Sequence, residues 1–583
     1  MQQNKTTNNL SGKPLGALLS RCLRALLISA MAATPLLAQN AFRPGETWND
    51  TGGQAINAHG GCVQCVDGTY YWLGESRSGP ECLGVSCYTS TDLYSWKRQG
   101  LAMTPTGTMT AEGMDVAQGR TFERPKVVFN APTGKWVMWL HWENGEDYGQ
   151  ARVAVLTSDH ITGPYTLTEG GVFRPGGLDS RDQTLFLDGD GKAYHVSSTE
   201  MNYRTHFIRL TDDFTRPTDE ESVEVLGMRY EAASMLGYGE QYWCLFSGCD
   251  GWNANRGRFI WNDNPLRDWH YGRDFYANNS WGRDFCVDEG NLKCYGSQPA
   301  YVFPVQGRDR CFIYMGDRWN SGNVGASRYV WLPLSIRSGY PAVRWLDRWD
   351  LTFFDHLYDK RRAASIEDGM EGYLLEKYSD RIVSRPTSTF CLLDDDGANT
   401  CFIFHRTADP YVFRLELKGE EGRCLQSVFG SMRVTPYEGD DSHLWRFTLE
   451  EDGYYRIANV ADGRVISISG NATYRGTSVA LLEPDDEQHH SLAVYFDSTV
   501  HPDYVEADMY SRAYRAECLR LMAEQAAWEE AAAVAAPAAE AVATDYLLPT
   551  GAAHPLPPTE PGLYLRRTRH ADGTCCLEKI LVR

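Results

Sequence analysis

From Met228 to Gly248 the chain reads MRYEAASMLGYGEQYWCLFSG, two apolar arms joined by a Gly-Tyr-Gly turn, which is the pattern of a β-hairpin. Alternation along the first arm places Glu231, Ala233 and Met235 on one face. The same plan, a Gly-containing turn followed by an aromatic-rich strand, recurs as DGTYYWLGE, TGKWVMWLHW, DGKAYHVSS and QGRDRCFIYMGD. The units repeat roughly every 50 to 70 residues, the spacing of propeller blades. Each leads into a second related stretch: CYTSTDLYSWK, AVLTSDHITGPYTL, IRLTDDFTRPT, FIWNDNPLRDWHY and YVWLPLSI. Strand and turn without helical periodicity predict an all-β fold, a five-bladed β-propeller over about residues 40–355. Its inner strands would surround one central pocket, and Glu231 would face it.

Beyond residue 355 the pattern changes. YLLEKYSDRIVSRPTSTFCLLDDDG, FRLELKGEEGRCLQSVFG and YYRIANVADGRVISISG are degenerate repeats, and two of them lead to DSHLWRF or EQHHSLAVY. Over about residues 372–496 this threefold pattern resembles the ricin-type β-trefoil lectins, whose repeats end in a Gln-x-Trp element that is altered here. Residues 508–545 are rich in helix formers until Pro537 and predict a helical segment or spacer. Residues 546–583 end in a hairpin pattern, GLYLRRTRHADGTCCLEKILVR, similar to the C-terminal sorting domain of Bacteroidetes type IX secretion cargo. Because the blades are complete by Trp349, a chain ended near Leu357 is expected to fold alone.

The first 38 residues have the order of a cleaved secretory signal: Lys5, Lys13, Arg21 and Arg24, an apolar run from Ala25 to Leu37, then Ala38 before Gln39. The run is too short to span a bilayer, which needs about 20 residues. The mature protein is therefore expected to be exported, to the periplasm, cell surface or medium, with no membrane attachment after cleavage. A net charge of -20 argues against nucleic acid as a partner. Loss of Cys22 with the signal leaves an odd number of cysteines among the original 16. Cys62 and Cys65 would point to opposite faces of a strand, so no zinc site with Cys82 and Cys87 is expected. Buried thiols, or a disulfide such as Cys82 with Cys87, fit better.

Three acids stand at comparable places ahead of successive hairpins: Glu123 in TFERPKVVFN, Asp182 in DSRDQTLF and Glu231 in RYEAASML. Convergent carboxyl groups suit glycoside hydrolysis, in which one protonates the leaving oxygen, and a neighbouring charge keeps that acid protonated near neutral pH. Taken singly, each acid reads equally as half of a salt bridge, Glu123 with Arg124 or Lys126 and Asp182 with Arg181. Aromatic rings supply stacking faces for sugars. Trp252 with Asn253, Tyr148, and Trp319 with Asp317 are candidates, beside His59, Glu75 and Arg181 near the acids.

NAHGGCVQCVDGTYYWLGE, STDLYSWK, FERPKVVFN, SRDQTLF, YEAASM, SGCDGWNAN, GSQPAYVFP and YMGDRWN with YVWLPL fall in the order seen across the propeller of glycoside hydrolase family 43, and the chain resembles its exo-β-1,3-galactanase branch. The resemblance implies that Glu231 is the general acid, that Asp182 tunes and orients it, and that Glu123 contacts the terminal sugar. Most of the family carries an Asp base on the first inner strand, where this chain has Ala58-His59-Gly60-Gly61. In the galactanase branch a glutamine matching Gln298 is held to position the water, which leaves Gln298 or Glu123 for that task. No cofactor is implied, although some family 43 propellers carry a cation, here a structural calcium that His59 would adjoin. The expected activity is an inverting exo-β-1,3-galactanase acting as a monomer on galactan or arabinogalactan. The alternatives are an α-L-arabinofuranosidase or β-xylosidase of the same family, or a non-catalytic glycan-binding propeller.

Overall fold

The computed structural model describes residues 40–582 except 111, 228, 272–282, 289–290, 356, 386–390, 396–399, 469–471, 485–490, 536–540, 548–552, 555–561 and 571–574. The expected signal and its cleavage point lie outside the described residues.

Five antiparallel four-stranded sheets form the blades. They are β1–β4 (His59–Val66, Thr69–Ser78, Glu81–Ser90, Lys97–Met103), β5–β8 (Thr121–Asn130, Lys135–Glu143, Arg152–Ser158, Thr166–Phe173), β9–β12 (Arg181–Leu187, Ala193–Thr199, Arg204–Leu210, Pro217–Val225), β13–β16 (Tyr230–Tyr238, Gln241–Gly248, Gly257–Asn262, Arg283–Asp284) and β17–β20 (Gln298–Pro304, Cys311–Arg318, Arg328–Ser335, Ala342–Val343). Every Gly-turn hairpin noted in the sequence joins the first and second strands of a blade. The stretch that follows each hairpin supplies the third strand.

Each blade is made of consecutive strands, so the circle closes without a strand exchanged between the chain's ends. Phe42 and Trp349 instead exchange backbone hydrogen bonds, N to O at 2.7 and 3.1 Å. Around that bridge Phe42, Trp48, Trp72, Trp96, Trp331 and Trp349 share one buried cluster, with Trp72 and Trp331 centroids 4.6 Å apart. Large rings at this joint bury much apolar surface per residue, which substitutes for the missing ladder.

Downstream, β21 (Lys360–Arg362) precedes twelve strands in three sets of four: β22–β25 (Met370–Glu376, Ile382–Ser384, Cys391–Asp394, Phe402–Arg406), β26–β29 (Val412–Leu417, Arg423–Val428, Ser431–Pro436, Leu444–Leu449) and β30–β33 (Tyr455–Asn459, Val465–Ile468, Ser478–Leu482, Ser491–Asp497). The first and last strands of each set pair in a closed circuit, β22-β25-β26-β29-β30-β33 and back to β22. The middle two strands of each set pair with each other.

Propeller and ring fall in one compact unit, residues up to Phe447 with Asp452–Arg515. One buried cluster joins Leu236, Trp243, Phe259, Tyr314 and Leu334 of the last two blades to Leu375, Ile382, Tyr454, Ala493, Tyr495 and Tyr510. Asp380 accepts hydrogen bonds from Ser335 Oγ (2.8 Å), Arg337 N (3.2 Å) and Ser338 N (2.5 Å) at the end of the fifth blade. Blades four and five are thus completed by side chains from beyond residue 357, which weighs against a propeller that folds alone.

The second unit comprises Thr448–Glu451 and Ala516–Arg583. Helix α1 spans Arg512–Ala535. Residues 541–547, where Val542, Thr544 and Tyr546 alternate, form strand β34 (Ala541–Leu547) rather than helix, in a sheet ordered β35-β34-β36-β37 with Ala553–His554, Gly562–His570 and Cys575–Val582. The hairpin expected at the end of the chain is β36 paired with β37.

Cys82 and Cys87 are separate buried thiols on the single strand β3, not a disulfide. Cys62 packs in the cluster of blades one and two, whereas Cys65 packs against the closure cluster, so the two do sit on opposite faces. Among the described residues no group of His, Cys, Asp and Glu could hold a metal ion.

Candidate active site

A regular strand sends consecutive side chains to opposite faces. Yet Glu123 and Arg124 line one pocket together, as do Arg181 and Asp182. The cause is a bulge in every innermost strand. Pairing registers shift between His59 and Cys62, Glu123 and Lys126, Glu231 and Ser234, and Pro299 and Tyr301, and opposite β9 between Val196 and Ser198. Gly60, Arg124, Asp182 and Ala232 adopt left-handed φ values of 55°, 50°, 37° and 61° in these bulges. For residues with a Cβ that conformation costs about 1–3 kcal/mol each, and such strain concentrates at functional sites. The bulge at Ala232 also breaks the alternation expected from the sequence: Ala233 and Met235 join the core between blades, while Glu231 lines the pocket.

The pocket, about 250 Å³, is walled by Glu75, Glu123, Arg124, His141, Tyr148, Arg181, Asp182, Asn202, Glu231, Gly251, Trp252, Gln298 and Trp319. Glu231 is only 7% exposed. Gln298 Nε2 donates to its Oε1 (2.7 Å) and Asn202 Nδ2 to its Oε2 (3.0 Å). Burial, reinforced by the Asp182 charge, pushes its carboxyl up to about 7. Asp182 is oriented by Arg124 Nε (2.9 Å). Arg124 in turn donates to Gln298 Oε1 and Pro299 O, and its own N–H donates to Glu75 Oε1 (2.7 Å). Asp182→Asn should therefore lower the proton affinity of Glu231 and move the alkaline limb of the activity profile toward lower pH. A pH–rate series for kcat/KM checks this, and an unmoved limb would separate Asp182 from the acid.

Glu123 belongs to a different network. Arg77 Nη2 (2.9 Å) and His141 Nδ1 (3.3 Å) flank its carboxylate, and the Tyr148 hydroxyl donates to it (2.7 Å). Burial pushes its proton affinity up, but the adjacent His141 ring, the Arg77 charge and the Tyr148 hydroxyl together hold it well below the usual carboxylate range. His141 is itself raised to about 9, because the Glu123 and Glu143 carboxylates on its two ring nitrogens outweigh burial. Glu123 is thus a fixed anion with little appetite for a proton.

The partners inferred from sequence proximity are not the ones found. Glu123 pairs with Arg77 and His141 rather than Arg124 or Lys126, and Asp182 pairs with Arg124 while Arg181 pairs with Asp179. Lys126 is buried with Nζ on Gly60 O (2.7 Å) and Arg124 O (3.2 Å), and burial pushes it down to about 7.

The structure brings Glu75, Tyr148, Arg181, Trp252 and Trp319 to the pocket and leaves three expected sugar contacts outside it. His59 and Asp317 are buried and face each other at 3.4 Å, with Asp317 also accepting from Gly60 N. Asn253 is exposed and turned to Asp250 O. The first blade offers its acid from the second strand, as Glu75. A Cβ at Gly60 would lie 2.6 Å from Glu75 Oε1, so the inner strand has no room for a side chain there. Arg124 was weighed in the sequence only as a salt-bridge partner of Glu123, His141 lay within the hairpin TGKWVMWLHW with no role assigned, and Asn202 carried no signal.

No family profile matches the chain, and no curated protein does. Among solved structures, a GH43 β-1,3-galactosidase is 47% identical over 83% of this chain and 100% of its own, with a TM-score of 0.78. A second GH43 β-1,3-galactosidase, solved with galactodeoxynojirimycin, is 35% identical over 53% of this chain and 100% of its own, with a TM-score of 0.49. An exo-β-1,3-galactanase from Clostridium thermocellum is 27% identical over 78% of this chain and 99% of its own, with a TM-score of 0.47. On the strength of the first match, which spans that enzyme from end to end, this chain belongs to glycoside hydrolase family 43.

Proposed function

We propose that the chain is an exported, monomeric exo-β-1,3-galactanase that removes galactose from galactan or arabinogalactan with inversion. The observation that carries this reading is Glu231, buried in a pocket with its carboxyl raised to about 7, at the position the family resemblance gives to the general acid. The 47% identical relative, a β-1,3-galactosidase, supports the sugar and linkage. In this reading Glu231 gives its proton to the glycosidic oxygen as the bond to the anomeric carbon breaks. Trp252 and Trp319, edge to face with centroids 5.3 Å apart, offer ring faces to the sugars.

For the attacking water, Glu123 is the poorer candidate because its lone pairs are taken by Arg77, His141 and Tyr148. That favours Gln298. Its Oε1 already accepts from Arg124 and from Trp319 Nε1 (2.7 Å), so a water held there would replace the indole donor.

The test is incubation of the purified protein with β-1,3-galactan, arabinan and xylan. Galactose from the first alone is expected. Arabinose or xylose would move the chain to another specificity of the family, and no product from any glycan would favour a binding module.

The acids need no metal, and the site expected for a cation beside His59 does not suit calcium. The carbonyl oxygens of Gly60 and Arg124 there already accept hydrogen bonds from Lys126 Nζ. Exhaustive dialysis against EDTA should leave hydrolysis unchanged, and loss restored by added calcium would contradict this. The downstream ring is read as a ricin-type β-trefoil, supported by its three four-strand sets and by His443-Leu444-Trp445 in the Gln-x-Trp place, with Trp445 Nε1 bonded to Leu425 O (2.9 Å). The corresponding EQHH of the third set lies outside the described residues. The C-terminal strands are read as a sorting module.

A further inference from the structure

Beside the carboxyl group of Glu231 lies a thiol, that of Cys249. Cys249 follows directly on β14, whose Ser247 lies opposite Glu231 in the hairpin. Its thiol stands beside the Glu231 carboxyl and favours the ionised form of that group. Asn202 Nδ2 reaches both groups, Glu231 Oε2 at 3.0 Å and Cys249 Sγ at 3.2 Å.

This arrangement is held by a turn that is costly to build. Between β10 and β11 the consecutive residues Glu200, Met201 and Asn202 have φ values of 49°, 58° and 68°. None is glycine, and a run of left-handed residues persists only where surrounding contacts enforce it. Asp179 Oδ1 accepts from Thr199 Oγ1 (2.9 Å) and Glu200 N (2.8 Å), and Tyr230 N donates to Asn202 O (3.1 Å). The turn is therefore tied to the residue just before Glu231, which places Asn202 and the thiol on the same carboxyl group.

We propose that Cys249 is a positioning residue for the acid, its S–H directed at the Glu231 carboxyl so that it stabilises the carboxylate left when the proton passes to the leaving oxygen. The inference rests on the reading of Glu231 as general acid. The sulfur keeps its own proton throughout: burial and the adjacent carboxylate push the thiol up to about 11, so it is a donor over the working pH range. The charged groups that bear on Glu231 are Asp182, which opposes its ionisation, and Arg124, which favours it; Cys249 and Gln298 act with Arg124. A donor that strengthens as negative charge develops lowers the barrier most when proton transfer is most needed.

The test compares wild type, Cys249→Ala, Cys249→Ser and Glu231→Gln on β-1,3-galactobiose and on an aryl β-galactoside with an activated leaving group. With alanine the alkaline limb of kcat/KM should move up by about half a pH unit, as expected for loss of one weak donor to the carboxylate. Galactobiose turnover should fall more than aryl galactoside turnover, with KM little changed. Serine, which also donates, should hold the limb near its wild-type position. Methyl methanethiosulfonate, which turns the S–H into a methyl disulfide and releases methanesulfinate, should depress galactobiose turnover of the wild type and spare Cys249→Ser. That arm decides the matter on folded wild-type protein if the alanine variant fails to fold. An unmoved limb with equal losses on both substrates, or equal reagent sensitivity of wild type and Cys249→Ser, overturns the proposal. The Glu231 reading then stands if Glu231→Gln is inactive on galactobiose, and falls with it if Glu231→Gln is active.

Discussion

Glu231→Gln lowers turnover of β-1,3-galactobiose by about 10²- to 10⁴-fold, the range that a positioned general acid contributes. The amide keeps the size of the side chain; its oxygen still accepts from Gln298, and its NH2 can donate to Asn202 Oδ1 once that amide turns, so galactose binding, followed by calorimetry, should change little. What is lost is the proton. Burial and Asp182 hold the carboxyl at about 7, which keeps a large protonated fraction at neutral pH, and no amide can supply that proton. An activated aryl leaving group departs with little help, so its hydrolysis should fall far less. Equal losses on both substrates would mean that Glu231 supports the pocket and does not act as an acid.

The three acids of this site were legible because each stands near the start of the first strand of a repeating unit. Their partners were not. Arg77 reaches Glu123 from another blade, and Arg124 reaches Asp182 in the same way. These pairs exist because bulges turn consecutive residues toward the same cavity, and a left-handed arginine, aspartate or alanine leaves no mark in a hydrophobic pattern. His59 and Asp317 show the opposite case: polar residues near the inner strand ends read as sugar contacts, but Asp317 pairs with His59 Nδ1 and the Gly60 amide, and neither residue lines the pocket. The blades themselves were plain to read, since each Gly turn and the aromatic strand after it recur in register.

The seam between propeller and ring was invisible for a related reason. Tyr454, Tyr495 and Tyr510 look like ordinary strand and loop aromatics, and nothing local says that they complete the core of blades four and five. A chain ended after Asp355 should accordingly be recovered as aggregate or as unfolded protein without activity. Leu236, Trp243, Phe259, Tyr314 and Leu334, each at most 3% exposed in the full chain, would lose the side chains that cover them. Burying a side chain of about the size of Phe or Leu is worth roughly 1.5–3 kcal/mol, and domains carry only about 5–15 kcal/mol of net stability, so the loss of this layer exceeds what the remaining blades can spare. The cut would also remove Asp380, the acceptor for Ser335, Arg337 and Ser338 at the end of the fifth blade. Solubility, circular dichroism and a melting curve decide it; a soluble fragment melting like the full chain would show that the shared core is dispensable.

The most direct measurement of the central claim is proton NMR of β-1,3-galactan in the first minutes after the enzyme is added. Wild-type protein should release free galactose whose first anomeric signal is that of the α form, with the β signal growing only as mutarotation proceeds, and Glu231→Gln should release none on that timescale. Early β-galactose, longer oligosaccharides in place of galactose, or undiminished release by the glutamine variant would contradict an inverting exo-galactanase with Glu231 as its acid.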